Sequence, residues 1–221
     1  MMPAPKIPAP LLPIFVKLAG RPCLVVGAGT VAGSKIASLL EAGARVTVVA
    51  PQATDELREL AAAGKLRWLP RPFEPADLQG QFLVIAATSA REVNHAVFVE
   101  AERRSILCNA VDDPPNCGFY FSAVVRRGDL QIAISTAGES PAVAQMLRRE
   151  IDHALDESMG DWLRLVGDLR REIIATHPPS EERKRLLHLL AHSKLCDDEN
   201  CSEAKKSAGA KRHLHLAGRE A

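Results

Sequence analysis

The stretch Cys23–Lys35, CLVVGAGTVAGSK, constrains the fold more than any other, because an apolar run ends there in closely spaced glycines and then turns into a helical pattern. In such a turn Gly27 allows a sharp exit from a strand, and Gly29 lets backbone N–H groups approach a diphosphate at the helix N-terminus. Ala32 holds the third small position, with Gly33 just behind it. GxGxxA is a permitted variant of the dinucleotide fingerprint. Alone it fits a tight strand–helix turn equally well, and the βαβ-like pattern around it is what favours a nucleotide.

Residues 1 to about 10 are proline-rich and predict an extended arm, after which Leu12, Ile14, Val16 and Leu18 alternate as a short strand or sheet-edge segment would. Strands are then predicted at Cys23–Val26, Arg45–Ala50, Leu66–Leu69, Phe82–Ala87 and Ile106–Ala110. Helices are predicted over Thr30–Glu41, Asp55–Ala63 with Thr54 as its cap, and Ala90–Arg103. This alternation is an α/β, Rossmann-type doubly wound parallel sheet, whose ligand lies across the carboxyl ends of the strands. Those ends carry Gly27–Val31, Ala50–Gln52, Ala87–Ser89 and Asn109–Asp113.

After Pro114-Pro115 the pattern changes. Phe119–Arg126 and Leu130–Ser135 read as two strands of a hairpin joined by Arg127-Gly128-Asp129. Ser140 then caps a long helix that opens at Pro141 and runs to about Ser158, followed by helices over Asp161–Thr176 and, capped by Ser180, Glu181–His192. Beyond Lys194 the chain is polar and reads as a disordered tail. The expected division is a dinucleotide domain over 1–113, a small β module over 114–150, a helical domain over 151–194 and a tail over 195–221.

Composition narrows the function classes. Lys plus Arg number 28 against 27 Asp plus Glu, so no global charge favours nucleic acid or an acidic membrane surface. Tyr120 is the single tyrosine and aromatics make up 4%, which leaves no stacking platform for bases. No stretch approaches the ~18 apolar residues of a membrane span, and the N-terminus has no continuous apolar run of the secretory kind. Five cysteines, two of them in strand-like runs, suit a reducing cytoplasm better than a disulfide framework. GxSxG, HExxH and P-loop patterns are missing.

Several groups are candidates for chemistry. An acidic residue that would bind ribose hydroxyls after the second strand is missing, and Ala50, Pro51 and Gln52 stand there instead. Asp112 and Asp113 follow the fifth strand, where either can act as a base or meet a cation; Asp113, preceding proline, is equally a turn residue. Arg126, Arg127, Arg148, Arg149 and Lys35 are possible cationic points for a polycarboxylate ligand, and each also fits a solvated surface. His188, His192, Cys196 and Cys201 can be drawn as a zinc site, but surface histidines and free thiols fit that spacing better, so no metal site is expected.

Four blocks carry a resemblance: LPIFVKLAGRPCLVVGAGTVAGSK; GARVTVVAP; FLVIAATSAREVN with CNAVDDPPNCGF; and SAVVRRGDLQIAISTAGESPAVAQMLRREI. In unbroken order over about residues 12–151 they resemble the precorrin-2 dehydrogenase part of siroheme synthases, a family with free-standing members and members fused to a methyltransferase. The resemblance implies NAD-dependent oxidation of precorrin-2 to sirohydrochlorin, in some members followed by Fe2+ insertion. It implies a Rossmann domain, a central dimerisation module and a helical C-terminal domain, shared across a homodimer. Thr30 and Val31 match positions that contact NAD after the glycines, and Pro51 and Gln52 match a second contact pair, in a family that also lacks the ribose acid. Asp112 matches the aspartate of an NxVDxP motif implicated in dehydrogenation and chelation. Thr136 matches a Ser/Thr position in STxGxSP, and Arg126, Arg127 and the helix start at Ser140 become partners for the substrate's eight carboxylates. Ser122 stands where the family usually has proline.

Two other readings compete. A non-catalytic NAD(H)-sensing regulatory module would usually keep the acidic ribose ligand, and a dehydrogenase of a small acid would need a catalytic His or Lys at the strand ends, where only His95, set back on a helix, is available.

Overall fold

The computed structural model describes residues 10–191. The chain divides into two compact units, one reaching to Phe121 and including Ala137–Ser140, the other formed by Ser122–Thr136 and the chain from Pro141. In the first unit strand and helix alternate: β1 (Pro22–Val26), α1 (Thr30–Glu41), β2 (Arg45–Val49), α2 (Asp55–Ala62), β3 (Arg67–Leu69), β4 (Leu83–Ala86), α3 (Arg91–Arg103) and β5 (Leu107–Ala110). The strands form one parallel sheet in the order β3-β2-β1-β4-β5. This is the doubly wound arrangement that the alternating pattern predicts, with the order reversing between β1 and β4.

The strands are apolar at nearly every position because both sheet faces are covered. On one face Cys23, Val25, Val46, Val48, Leu83 and Ile85 pack with Ala32, Ile36 and Leu39 of α1 and Leu57 of α2. On the other, Leu24, Val26, Val84, Ala86 and Cys108 pack with Val97 and Ala101 of α3 and with Leu78. Leu78 ends a short 3-10 turn, Pro75–Leu78, that the sequence pattern does not reveal.

Two expected strands differ. Leu12–Leu18 forms no strand: Leu12, Ile14 and Phe15 are exposed, and only Leu18 reaches the core. Alternation without a neighbouring strand supplies no ladder, and Pro13 removes a donor. Phe119–Ser122 also lies outside the hairpin, which pairs Ala123–Arg127 (β6) with Leu130–Ile134 (β7). The chain just before it runs instead along β5, where Asn109 bridges Cys117 and Gly118 N–H donates to the Cys108 carbonyl at 2.7 Å. Thr54 occupies the N-cap of α2, yet its side chain makes no capping hydrogen bond.

In the second unit the hairpin packs with α4 (Pro141–Ala154), followed by α5 (Met159–Thr176) and α6 (Glu181–Ala191). Leu169 and Ile173 of α5 meet Leu186 and Leu190 of α6 in a small core. Ser180 caps α6 as predicted, its Oγ accepting from the Arg183 N–H at 3.1 Å. Gly160 lies so close to the hairpin turn that a Cβ there would stand 2.8 Å from the Arg127 carbonyl. The expected tail lies outside the described residues.

Candidate functional site

The glycine turn sits where parallel pairing places it, at the carboxyl end of the central strand β1. Gly27 has φ +108°, and a Cβ there would lie 2.3 Å from the Ala87 carbonyl oxygen, so only glycine lets the loops after β1 and β4 lie this close. Space beside Gly29 is open, with nothing within 4 Å of where a Cβ would stand. The N-terminus of α1 has neither a side-chain cap nor an acidic residue in its first turn, so its N–H groups and dipole stand ready for an anion. Val31 is half-exposed at this start. These features fit the diphosphate and adjoining sugar of a dinucleotide.

Beside this turn, Pro51 and Gln52 follow β2 and are exposed. Their loop is tied down by Trp68, whose Nε1 donates to the Ala50 carbonyl at 3.0 Å, and by the Thr54 N–H, which donates to the Ala28 carbonyl at 3.2 Å. After β4, buried Asn94 holds the third loop. Its Oδ1 accepts from the Thr88 N–H (3.1 Å) and Oγ1 (2.8 Å), and its Nδ2 donates to the Thr88 carbonyl (3.0 Å). Motif reading passes over Asn94; its signal is a polar residue on the apolar stripe of a helix, six residues after a Thr.

Asp112 follows β5, which lies next to β4 and two strand spacings, about 10 Å, from β1 in the sheet. It is exposed and adopts φ +59°, a left-handed conformation that costs a non-glycine residue about 1 kcal/mol or more. The loop around it is stapled at both ends. Asn109 Nδ2 donates to the Phe119 carbonyl at 2.8 Å, and the Cys117 thiol lies 3.0 Å from the Ala110 carbonyl. Asp113 is a turn residue here, opening the 3-10 turn Pro114–Asn116 and accepting from Asn116 Nδ2 at 2.7 Å. Burial pushes the Cys108 thiol up to about 12 and raises that of Cys117, so neither is a ready nucleophile.

Lys35 comes to the same place. Its ammonium lies 4.3 Å from the centroid of the Phe121 ring, and its pKa is lowered by burial, an effect that the nearby Asp112 charge partly offsets.

The second unit holds Arg126, Arg127 and Thr136, while Ser140, directly before α4, groups with the first unit. Arg126 is exposed, and both Thr136 and Ser140 engage neighbours of their own. Arg127 is committed elsewhere. It donates to Asp152 Oδ1 (2.8 Å), to the Asp152 carbonyl (2.7 Å) and to the Leu155 carbonyl (3.0 Å), closing the C-terminal end of α4. Sequence spacing cannot distinguish this use from a ligand contact. Hydrogen bonding to Arg127 holds the Asp152 carboxyl below its usual range. Among the described residues no cluster of metal-ligating side chains occurs, and no helix is long and apolar enough to cross a membrane. Of the four residues drawn as a zinc site, His188 lies on α6, and His192, Cys196 and Cys201 lie outside the described residues.

Known proteins are similar to this chain. A family model described as NAD(P)-binding matches residues 14–123, and one described as the central part of sirohaem biosynthesis proteins matches residues 127–154. Siroheme synthase of Photorhabdus laumondii subsp. laumondii is 45% identical over 162 residues, 73% of this chain and 34% of that protein. Siroheme synthase 1 of Cronobacter sakazakii is 48% identical over 159 residues, 72% of this chain and 34% of that protein. The chain thus spans about a third of the length of these relatives. A solved structure named SirC, precorrin-2 dehydrogenase, matches with a TM-score of 0.75 at 27% identity, covering 93% of this chain and 100% of that one.

Proposed function

The chain belongs to the siroheme synthase family, matching its NAD-binding and central parts, and from that premise we propose that it oxidises precorrin-2 to sirohydrochlorin with NAD+. The observation that carries the reading is the placement of Asp112, a strained, exposed carboxylate, at the same end of the sheet as an uncapped helix N-terminus built to take a diphosphate.

The oxidation removes two hydrogens from the tetrapyrrole, one as hydride from a ring carbon and one as a proton. NAD+, when bound, supplies the hydride acceptor. The backbone N–H groups at the start of α1 hold the diphosphate, and Thr30 and Val31, with Pro51 and Gln52 across the β2 end, line the path of the dinucleotide. Asp112 takes the proton. Its loop, fixed by Asn109 and Cys117, holds the carboxylate in place and leaves both oxygens without a protein donor among the described residues. Arg126, Thr136 and Ser140 are proposed contacts for the substrate's carboxylates, and Arg127 supports them by tying the hairpin to α4. Insertion of Fe2+ into the product needs two pyrrole N–H protons removed, a task the same carboxylate suits, and Fe2+ enters as substrate. A cytoplasmic homodimer completes the proposal. The relatives, named as synthases and a dehydrogenase, give no support to a purely regulatory module.

Anaerobic incubation with precorrin-2 and NAD+ is expected to give the sirohydrochlorin spectrum, and an unchanged spectrum refutes the assignment. Asp112→Asn is expected to lower kcat about 100-fold or more while NADH still binds. Adding Fe2+ to the product, against an enzyme-free control, tests insertion.

A further inference from the structure

One charged group beside the site has no part in this chemistry. Lys35 sits in the second turn of α1 and is half-buried, its ammonium over the face of Phe121 at 4.3 Å from the ring centroid. A lysine on a helix surface ordinarily extends its head into water. This one is held back by the aromatic ring, in a position where burial works against its charge. Among the described residues it forms no hydrogen bond or ion pair, and although the Asp112 charge acts on it, the two are not in salt-bridge contact. A partly desolvated cation with three unused donors, standing apart from a strained carboxylate, is an incomplete site.

We propose that Lys35 is a binding point for a carboxylate of the tetrapyrrole substrate, anchoring the macrocycle edge next to Asp112. The proposal rests on the dehydrogenase reading and adds to it a residue that fixes where the ring lies. Two anions could meet this ammonium, a substrate carboxylate or the diphosphate of the dinucleotide. The substrate is favoured by position. The diphosphate site is made by N–H groups of the first helical turn, whereas Lys35 is one turn further on and is clamped by Phe121, which follows the Asp112 loop in the chain. The separation of roles is also chemical, since a lysine is a point charge on a flexible stem and suits a single carboxylate without demanding bidentate geometry.

Lys35→Met keeps the apolar stem against Phe121 and removes only the charge; Lys35→Arg keeps the charge. In Lys35→Met the KM for precorrin-2 is expected to rise at least about tenfold, the worth of one hydrogen bond to a charged group, with kcat little changed. Binding of uroporphyrin III, an octacarboxylate probe that needs no turnover, is expected to weaken by a similar factor and to lose part of its salt dependence. NADH affinity, read by its fluorescence, is expected to stay at the wild-type value and certifies the fold, and Lys35→Arg should restore most of the loss. Unchanged KM and unchanged uroporphyrin binding in Lys35→Met overturn the proposal, as does a loss that falls on NADH instead, which would assign Lys35 to the diphosphate. A wild-type protein that binds NADH but neither binds nor oxidises a tetrapyrrole overturns the dehydrogenase reading and this subsite with it; a wild type that oxidises precorrin-2 beside a Lys35→Met variant that matches it overturns the subsite alone.

Discussion

At Gly27 two independent constraints coincide, a backbone angle of +108° and a carbonyl oxygen 2.3 Å from where a Cβ would stand. Gly27→Ala must therefore force the loops after β1 and β4 apart. It is expected to lower stability by about 3 kcal/mol and to abolish NADH binding, measured by denaturant midpoint and by fluorescence. Gly33 makes the opposite case. It lies within α1, its φ is unstrained, and an added Cβ meets nothing within 4 Å, so Gly33→Ala is expected to stabilise the chain by about 0.5–1 kcal/mol. Two glycines six residues apart thus differ in sign, and the difference lies in the Ala87 carbonyl, a neighbour distant in sequence. The sequence marks both as parts of a fingerprint and cannot rank them. Asp112 is similar: its motif identifies it as a candidate, and only the folded loop shows a left-handed backbone and an exposed carboxylate.

Among the elements, those that need only local order are legible in the chain. The ends of α1, α3 and the parallel strands fall within a residue or so of the apolar pattern, because glycine stops and β-branched runs act over one or two turns. Pairing partners are not legible in this way. Leu12–Leu18 has the alternation of a strand and no strand beside it, and Phe119–Ser122 precedes the hairpin because the chain before it pairs with β5. Arg127 belongs to the same class, since its partners at Asp152 and Leu155 are set by the packing of hairpin on helix. Arg127→Met leaves the last carbonyls of α4 without donors and is expected to lower Tm by about 5 °C. The acid limb should change too. Asp152 has its pKa lowered in the folded state, so its contribution is present above the ordinary carboxylate range and is lost as pH falls through the lowered value. Tm of the wild type should therefore fall on acidification across that window, and Arg127→Met should show a shallower fall in a thermal-melt series from about pH 6 to about pH 3.

For the whole molecule the proposal is a homodimer. A two-stranded sheet is marginal alone, and Val143 and Met146 are exposed on α4, in the same unit as that hairpin. Sedimentation of the purified chain is expected to give twice the mass of one chain at micromolar concentration, and a monomer across that range refutes the proposal. The first unit needs no such help, because helices cover both faces of its sheet and bury Leu24, Val25, Ile36 and Ile85 completely.

By itself the sequence determined the order of elements in the α/β unit, the glycine turn at its central strand, the position of Asp112 after the fifth strand and the family to which these blocks belong. Each depends on residues close together in the chain, where backbone preference and hydrophobic period act directly. Only the tertiary structure decided that Gly27 is squeezed against Ala87, that Asn94 holds Thr88, that Arg127 closes a helix and that Lys35 rests on Phe121 near Asp112. These depend on groups far apart in the chain that burial brings together. A side chain's charge or hydrogen-bonding capacity is written in its identity, but the partner that uses it is chosen by packing.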